Sequence, residues 1–78
     1  MSRLPSISGL EALKAFQRAG WLFARQRGSH MIMTKDGMDV TLSIPNHREL
    51  KRPLLRHLIK DAGMSEDDFI LYLKKEKP

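Results

Sequence analysis

Apolar and polar positions along this chain follow two rhythms in turn. Leu10, Leu13 and Phe16, with Ala12, Ala15 and Ala19 beside them, recur at the spacing of one helix face, while Lys14, Gln17 and Arg18 fall opposite. Ser8-Gly9-Leu10-Glu11 has the form of a capping box, which places the helix start, and Gly20 is positioned to close it. The period then drops to two. Residues 21–26 and 31–34 read as short strands, and Val40, Leu42 and Ile44 alternate with Asp39, Thr41 and Ser43 in a third. Helical spacing returns at Leu54, Leu55, Leu58, Ile59 and Ala62, with Pro53 in the first turn, where a missing N–H costs nothing, and Gly63 after the last. Ser65 followed by Glu66, Asp67 and Asp68 predicts a short third helix carrying Phe69, Ile70, Leu71 and Leu73.

Two glycine turns set the expected strand register. Gly28-Ser29 reads as a two-residue hairpin loop, which pairs Arg27 with His30 and Arg25 with Ile32; a three-residue loop would instead send both arginines to the other face. Asp36-Gly37 reads as a second two-residue turn, placing Met33 opposite Val40 and Met31 opposite Leu42. The methionines then join the core, and His30, Ile32 and Thr34 share the open face with Ser43, Thr41 and Asp39. Trp21 and Phe23 are expected to pack against the first helix, the alternative being a stacking role on bases. Pro45 ends the third strand and residues 45–49 are read as a connector. The order α-β-β-β-α with a small extra helix predicts an α+β domain of two layers, helices on one face of a three-stranded antiparallel sheet. That is the layout of double-stranded RNA-binding domains. Residues 1–78 are read as one such domain, with ends frayed over about 1–6 and 74–78.

Composition narrows the chemistry. Seventy-eight residues suffice for one core and leave no room for a deep enclosed pocket. The absence of cysteine excludes disulfides and thiolate metal sites and fits a reducing cytoplasm. No apolar run is long enough for a signal peptide or a membrane span. A net charge of +5 favours nucleic acid, anionic lipid or an acidic protein as partner. The three histidines lie far apart, with no carboxylate pair at ligand spacing, and neither a phosphate-binding glycine loop nor a Ser-His-Asp order stands out. No metal and no small-molecule cofactor is therefore expected.

Several segments, in order, resemble HicA-type toxins: Ser8-Gly9, Gly20-Trp21, Arg25 with Gly28-Ser29-His30, Asp36-Gly37, Pro45-Asn46-His47, Glu49-Leu50, and Leu55-Arg56 through Asp61-Ala62-Gly63-Met64-Ser65. The resemblance runs from about Ile7 to Leu73. It implies a small cytoplasmic toxin that cleaves mRNA, has a double-stranded-RNA-binding-like fold, and is made alongside a HicB-type antitoxin that masks its active site. The histidine of the family's Gly-Ser-His motif is the catalytic one, and it falls on His30. Gly28 and Ser29 carry over as motif positions that shape the turn. This chain departs from the family in having Pro53-Leu54 where many relatives have Gly-Thr, which removes a possible hydroxyl cap from the second helix.

RNA brings its own nucleophile, the 2′-hydroxyl, so cleavage needs a base, charge stabilisation at phosphorus, and orientation. Histidine titrates nearest neutrality of all side chains, and His30 is the candidate general acid/base, with Arg25 or Arg27 stabilising the charged phosphorane. The expected product is a 2′,3′-cyclic phosphate. The donor of a proton to the leaving 5′-oxygen stays open among lysine, water and a second histidine; His47, just after the third strand, is the auxiliary candidate, while His57 lies within the second helix. Arg25, Arg27 and Ser29 at the hairpin, with Lys51, Arg52 and Arg56 along the second helix, form the candidate RNA-contact set. The same basic helix would equally serve an acidic antitoxin. Against the endoribonuclease stands a non-catalytic module of the same fold that binds structured RNA by shape, and more weakly a DNA-binding subunit, for which no helix-turn-helix spacing is evident.

Overall fold

The computed structural model describes residues 4–75, and the elements run α1 (Gly9–Arg18), β1 (Leu22–Arg27), β2 (His30–Thr34), β3 (Leu42–Pro45), α2 (Arg52–Asp61) and α3 (Glu66–Leu73). The capping box forms as its residues require: Ser8 Oγ accepts from the Glu11 amide at 3.1 Å, and the Ser8 amide donates to Glu11 Oε1 at 2.9 Å. Beyond Ala19, the Gly20 amide donates to the Gln17 carbonyl and the Trp21 amide to that of Phe16, both at 3.0 Å, which satisfies two carbonyls of the last turn. Helix α3 opens on Ser65, whose hydroxyl accepts from the Asp68 amide at 3.1 Å. Helix α2 starts at Lys51 with no side-chain cap and Pro53 in its first turn.

The strands form an antiparallel sheet in the order β1-β2-β3. The protein is therefore an α+β fold with three antiparallel strands, as the periodicity predicts. Met31, Met33, Leu42 and Ile44 point from one face into the core, where they meet Ala12, Phe16, Leu55, Leu58, Ile59 and Phe69. The rings of Phe16 and Phe69, 5.0 Å apart, join α1 to α3. Trp21 is 1% exposed and belongs to this core, so it packs as expected and is not available for stacking on a base.

Several expectations are corrected. Leu10 is 49% exposed, because Gly9 takes the inward place at that level of α1 and lets the backbone itself lie against Pro45. Phe23 is also exposed: it stands opposite Met33 on the helix-covered face, but every residue of β1 reaches solvent, whereas β3, against which both α1 and α2 pack, is largely buried. The Asp36-Gly37 turn does not close a two-residue hairpin. Met33 pairs with Leu42 and Met31 with Ile44, two residues beyond the expected register, and Val40 lies outside the sheet. Gly37 has a φ of 84° while Asp36 keeps negative φ, so the turn closed by the Met38 amide on the Lys35 carbonyl is not the doubly left-handed one that joins strands directly. The chain instead lays Met38 against the core before pairing resumes.

Because that offset is even, the faces are unchanged, and the methionines remain inside. Pro45 belongs to β3 and does not end pairing, since it stands opposite His30 and the next amide, of Asn46, donates to the Ser29 carbonyl at 2.7 Å. The hydrogen bond at Asn46 makes the His30–Pro45 pair a non-hydrogen-bonded one, where the missing N–H removes no ladder bond. Residues 4–6, expected to fray, are held. Leu4 is 2% exposed, its carbonyl accepts from Arg52 Nε at 3.0 Å, and Ser6 Oγ donates to Glu49 Oε2 at 2.6 Å. At the other end Lys74 and Lys75 close α3, and the rest of the expected C-terminal tail lies outside the described residues.

Candidate functional site

The β1–β2 hairpin forms in the expected register, with Arg27 paired to His30 and Arg25 to Ile32. Gly28 has a φ of 58° and Ser29 keeps a negative φ. That is the pattern of a two-residue hairpin turn with glycine first, a place where a side chain would be strained. Pairing across an antiparallel ladder fixes the face, so His30, Arg27, Arg25, Ile32 and Ser43 all stand on the side of the sheet that no helix among the described residues covers. An irregularity between Phe23 and Arg25 absorbs one residue of β1, and it lies before the arginines, leaving their register with His30 intact.

This end of the sheet is tied together by main-chain bonds. Asn46 holds Ser29, as above, and the His47 carbonyl accepts from the Gly9 amide at 2.9 Å, while the Leu50 amide donates to Ile7 at 2.8 Å. A Cβ on Gly9 would overlap the Pro45 carbonyl oxygen, so α1 can approach this closely only with glycine there. Gly9 and Asn46 are the contributors that sequence reasoning missed. The visible trace of the first is a glycine in a helix's first turn, where a better helix former would otherwise be expected. His30 and His47 are both exposed, and neither imidazole has a hydrogen bond or ion pair among the described residues.

The remaining candidates are placed elsewhere. Helix α2 lies in the helix layer, across the sheet from His30, and the structure does not gather Lys51, Arg52 and Arg56 with the hairpin arginines. Arg52 is engaged with Leu4, and Arg56 Nε lies 3.5 Å from Glu66 Oε2. His57 Nε2 sits 3.2 Å from Asp61 Oδ2 one turn along the same helix. Among the described residues no three His, Asp or Glu side chains come together as a metal site, and no helix is long and apolar enough to cross a membrane.

Fold and face together define a small basic two-layer α+β protein whose uncovered sheet presents a histidine between a glycine turn and two arginines. The chain belongs to the HicA toxin family of bacterial toxin–antitoxin systems, which matches residues 9–64. Among solved structures it is similar to a chain of a toxin–antitoxin complex from Streptococcus pneumoniae, at 32% identity and a TM-score of 0.67, covering 74% of this chain and 98% of that one. Among curated protein sequences no relative matches.

Proposed function

We propose that this toxin is a metal-independent endoribonuclease that cleaves mRNA at the open face of the sheet, with His30 as general acid/base. The pairing of Arg27 with His30, and of Arg25 with Ile32, carries this reading, because it sets two permanent cations beside an unengaged imidazole on an accessible surface. His30 takes the proton from the 2′-hydroxyl as that oxygen attacks phosphorus. Arg25 and Arg27 hold the phosphate and stabilise the charge that builds on it. Ser29, next to the imidazole in the turn, contacts the backbone of the RNA. The substrate provides the nucleophile, so this route calls for no metal and no cofactor. Lys51, Arg52 and Arg56, on the other layer, serve as contacts for the flanking strand or the antitoxin. A HicB-type antitoxin, acting in the same cytoplasm, neutralises the toxin by covering the face that carries His30. The similar Streptococcus pneumoniae chain, from a toxin–antitoxin complex, supports such a partner.

The test is cleavage of a labelled single-stranded RNA by the wild-type protein and by His30→Ala, both with excess chelator and with folding checked by circular dichroism. The wild type should cut and leave 2′,3′-cyclic phosphate ends, and the folded variant should be slower by about 10²–10⁴-fold, the usual worth of a proton-transfer group. Equal rates would remove His30 as catalyst. Binding without cleavage by either protein would favour the non-catalytic RNA-binding module.

A further inference from the structure

We infer that His47 is the second proton-transfer group, the acid that protonates the leaving 5′-oxygen; this rests on the ribonuclease reading above. The ladder between β2 and β3 does not stop at His30 and Pro45, because the Asn46 amide still donates to Ser29 at 2.7 Å. Past the last residue of β3, the His47 carbonyl turns to Gly9 just as the Pro45 carbonyl lies against it, and this alternation about Asn46 puts His47 on the face of Pro45, and so of His30. A diagonal neighbour of this kind stands about 7–8 Å away between Cα atoms, within reach of two ring side chains that approach one phosphate from two sides. The bond from Gly9 to the His47 carbonyl fixes the main chain there, and the side chain is left exposed and unengaged.

Other donors are less well placed. Arg25 and Arg27 stay charged at any working pH and cannot give up a proton. Lys35 is held at the far end of β2, its Nζ donating to the Ala19 carbonyl at 3.1 Å. In the step itself the 2′-oxygen loses its proton to neutral His30 and bonds to phosphorus. The P–O5′ bond breaks as the 5′-oxygen takes a proton from protonated His47. The products are a 2′,3′-cyclic phosphate and a free 5′-hydroxyl, and both imidazoles return to their starting states by exchange with water.

An RNA with sulfur in place of the bridging 5′-oxygen separates the two roles, since a thiolate leaves without being protonated. On ordinary RNA, His47→Ala and His47→Gln should be slower than wild type by about 10²-fold or more. On the thio-substituted RNA both should return to within a few-fold of wild type, while His30→Ala stays defective on both substrates. The main-chain bond to Gly9 survives either substitution, so circular dichroism spectra should match. Equal losses on the two substrates, or no loss on ordinary RNA, would overturn the assignment of His47 while leaving His30 in place. If the wild type cleaves neither RNA, the ribonuclease reading itself fails and this inference goes with it.

Discussion

The two ends of the sheet differ in how firmly they are held. At the end that carries His30, three main-chain bonds join separate stretches of chain: Asn46 to Ser29, Gly9 to His47, and Leu50 to Ile7. The helix there packs backbone to backbone against Pro45. At the opposite end, among the described residues, the connection from β2 to β3 has one main-chain turn bond, from Met38 to Lys35 at 3.1 Å, is tied to α1 only through the Lys35 side chain on the Ala19 carbonyl, and exposes Val40. Elements of the same sheet thus differ in how much of the protein determines their position. Side chains that act on a substrate need the first kind of support, because a misplacement of about 1 Å can cost roughly 10²-fold in rate.

The most damaging way to break that difference is Gly9→Ala. A methyl group there meets the Pro45 carbonyl oxygen and lies against Asn46, and these are backbone atoms that cannot step aside as a flexible side chain would. The expected destabilisation is about 3 kcal/mol, the upper range for forcing an extra methyl into a filled site, read as a lower urea midpoint with unchanged slope. Unchanged stability would mean that α1 does not hold this end of the sheet.

A pair of insertions compares the two ends directly. One glycine inserted between Gly28 and Ser29 destroys the tight two-residue turn that sets Arg27 opposite His30, and so loosens the placement of both side chains. RNA cleavage should fall by about 10²-fold. The same insertion after Gly37 lengthens a connection that already runs outside the ladder, should leave cleavage within a few-fold of wild type, and should cost less than about 1 kcal/mol. Similar losses from the two insertions would show that both turns position the site equally.

These two turns also show what could be read from sequence. Gly28-Ser29 delivered its register because everything that sets it is local: a glycine at the strained position, serine after it, and strand formers on both sides. Asp36-Gly37 looks just as local, yet its register depends on Met38, which packs into a core built by elements distant in sequence. The face of His30 was still predictable, since alternation preserves it under any even offset. The helix caps at Ser8 and Ser65 were legible for the same local reason. The closeness of α1 to Pro45 was not, because a long-range backbone approach has no periodic signature, and the exposure of Phe23 depended on how far the helices reach over β1. Of the candidate site, the hairpin was legible, and so was a helix layer on the face away from His30; the local engagement of Arg52 with Leu4 and of Arg56 with Glu66 was not, because basic spacing along a helix does not say which partners fold against it.

The smallest expected effect tests the corrected register. In the register that a two-residue Asp36-Gly37 hairpin would impose, Val40 faces Met33 in the core, and Val40→Thr would bury a hydroxyl with no acceptor, costing about 1–3 kcal/mol. In the structure Leu42 holds that place and Val40 is 41% exposed. Val40→Thr should then change stability by less than about 0.5 kcal/mol in urea denaturation and leave cleavage as it was. A loss above about 1 kcal/mol would return Val40 to the core and shorten the connection to two residues. Both registers keep His30 on the open face, so this measurement decides how the far end of the sheet is built without touching the end that carries His30.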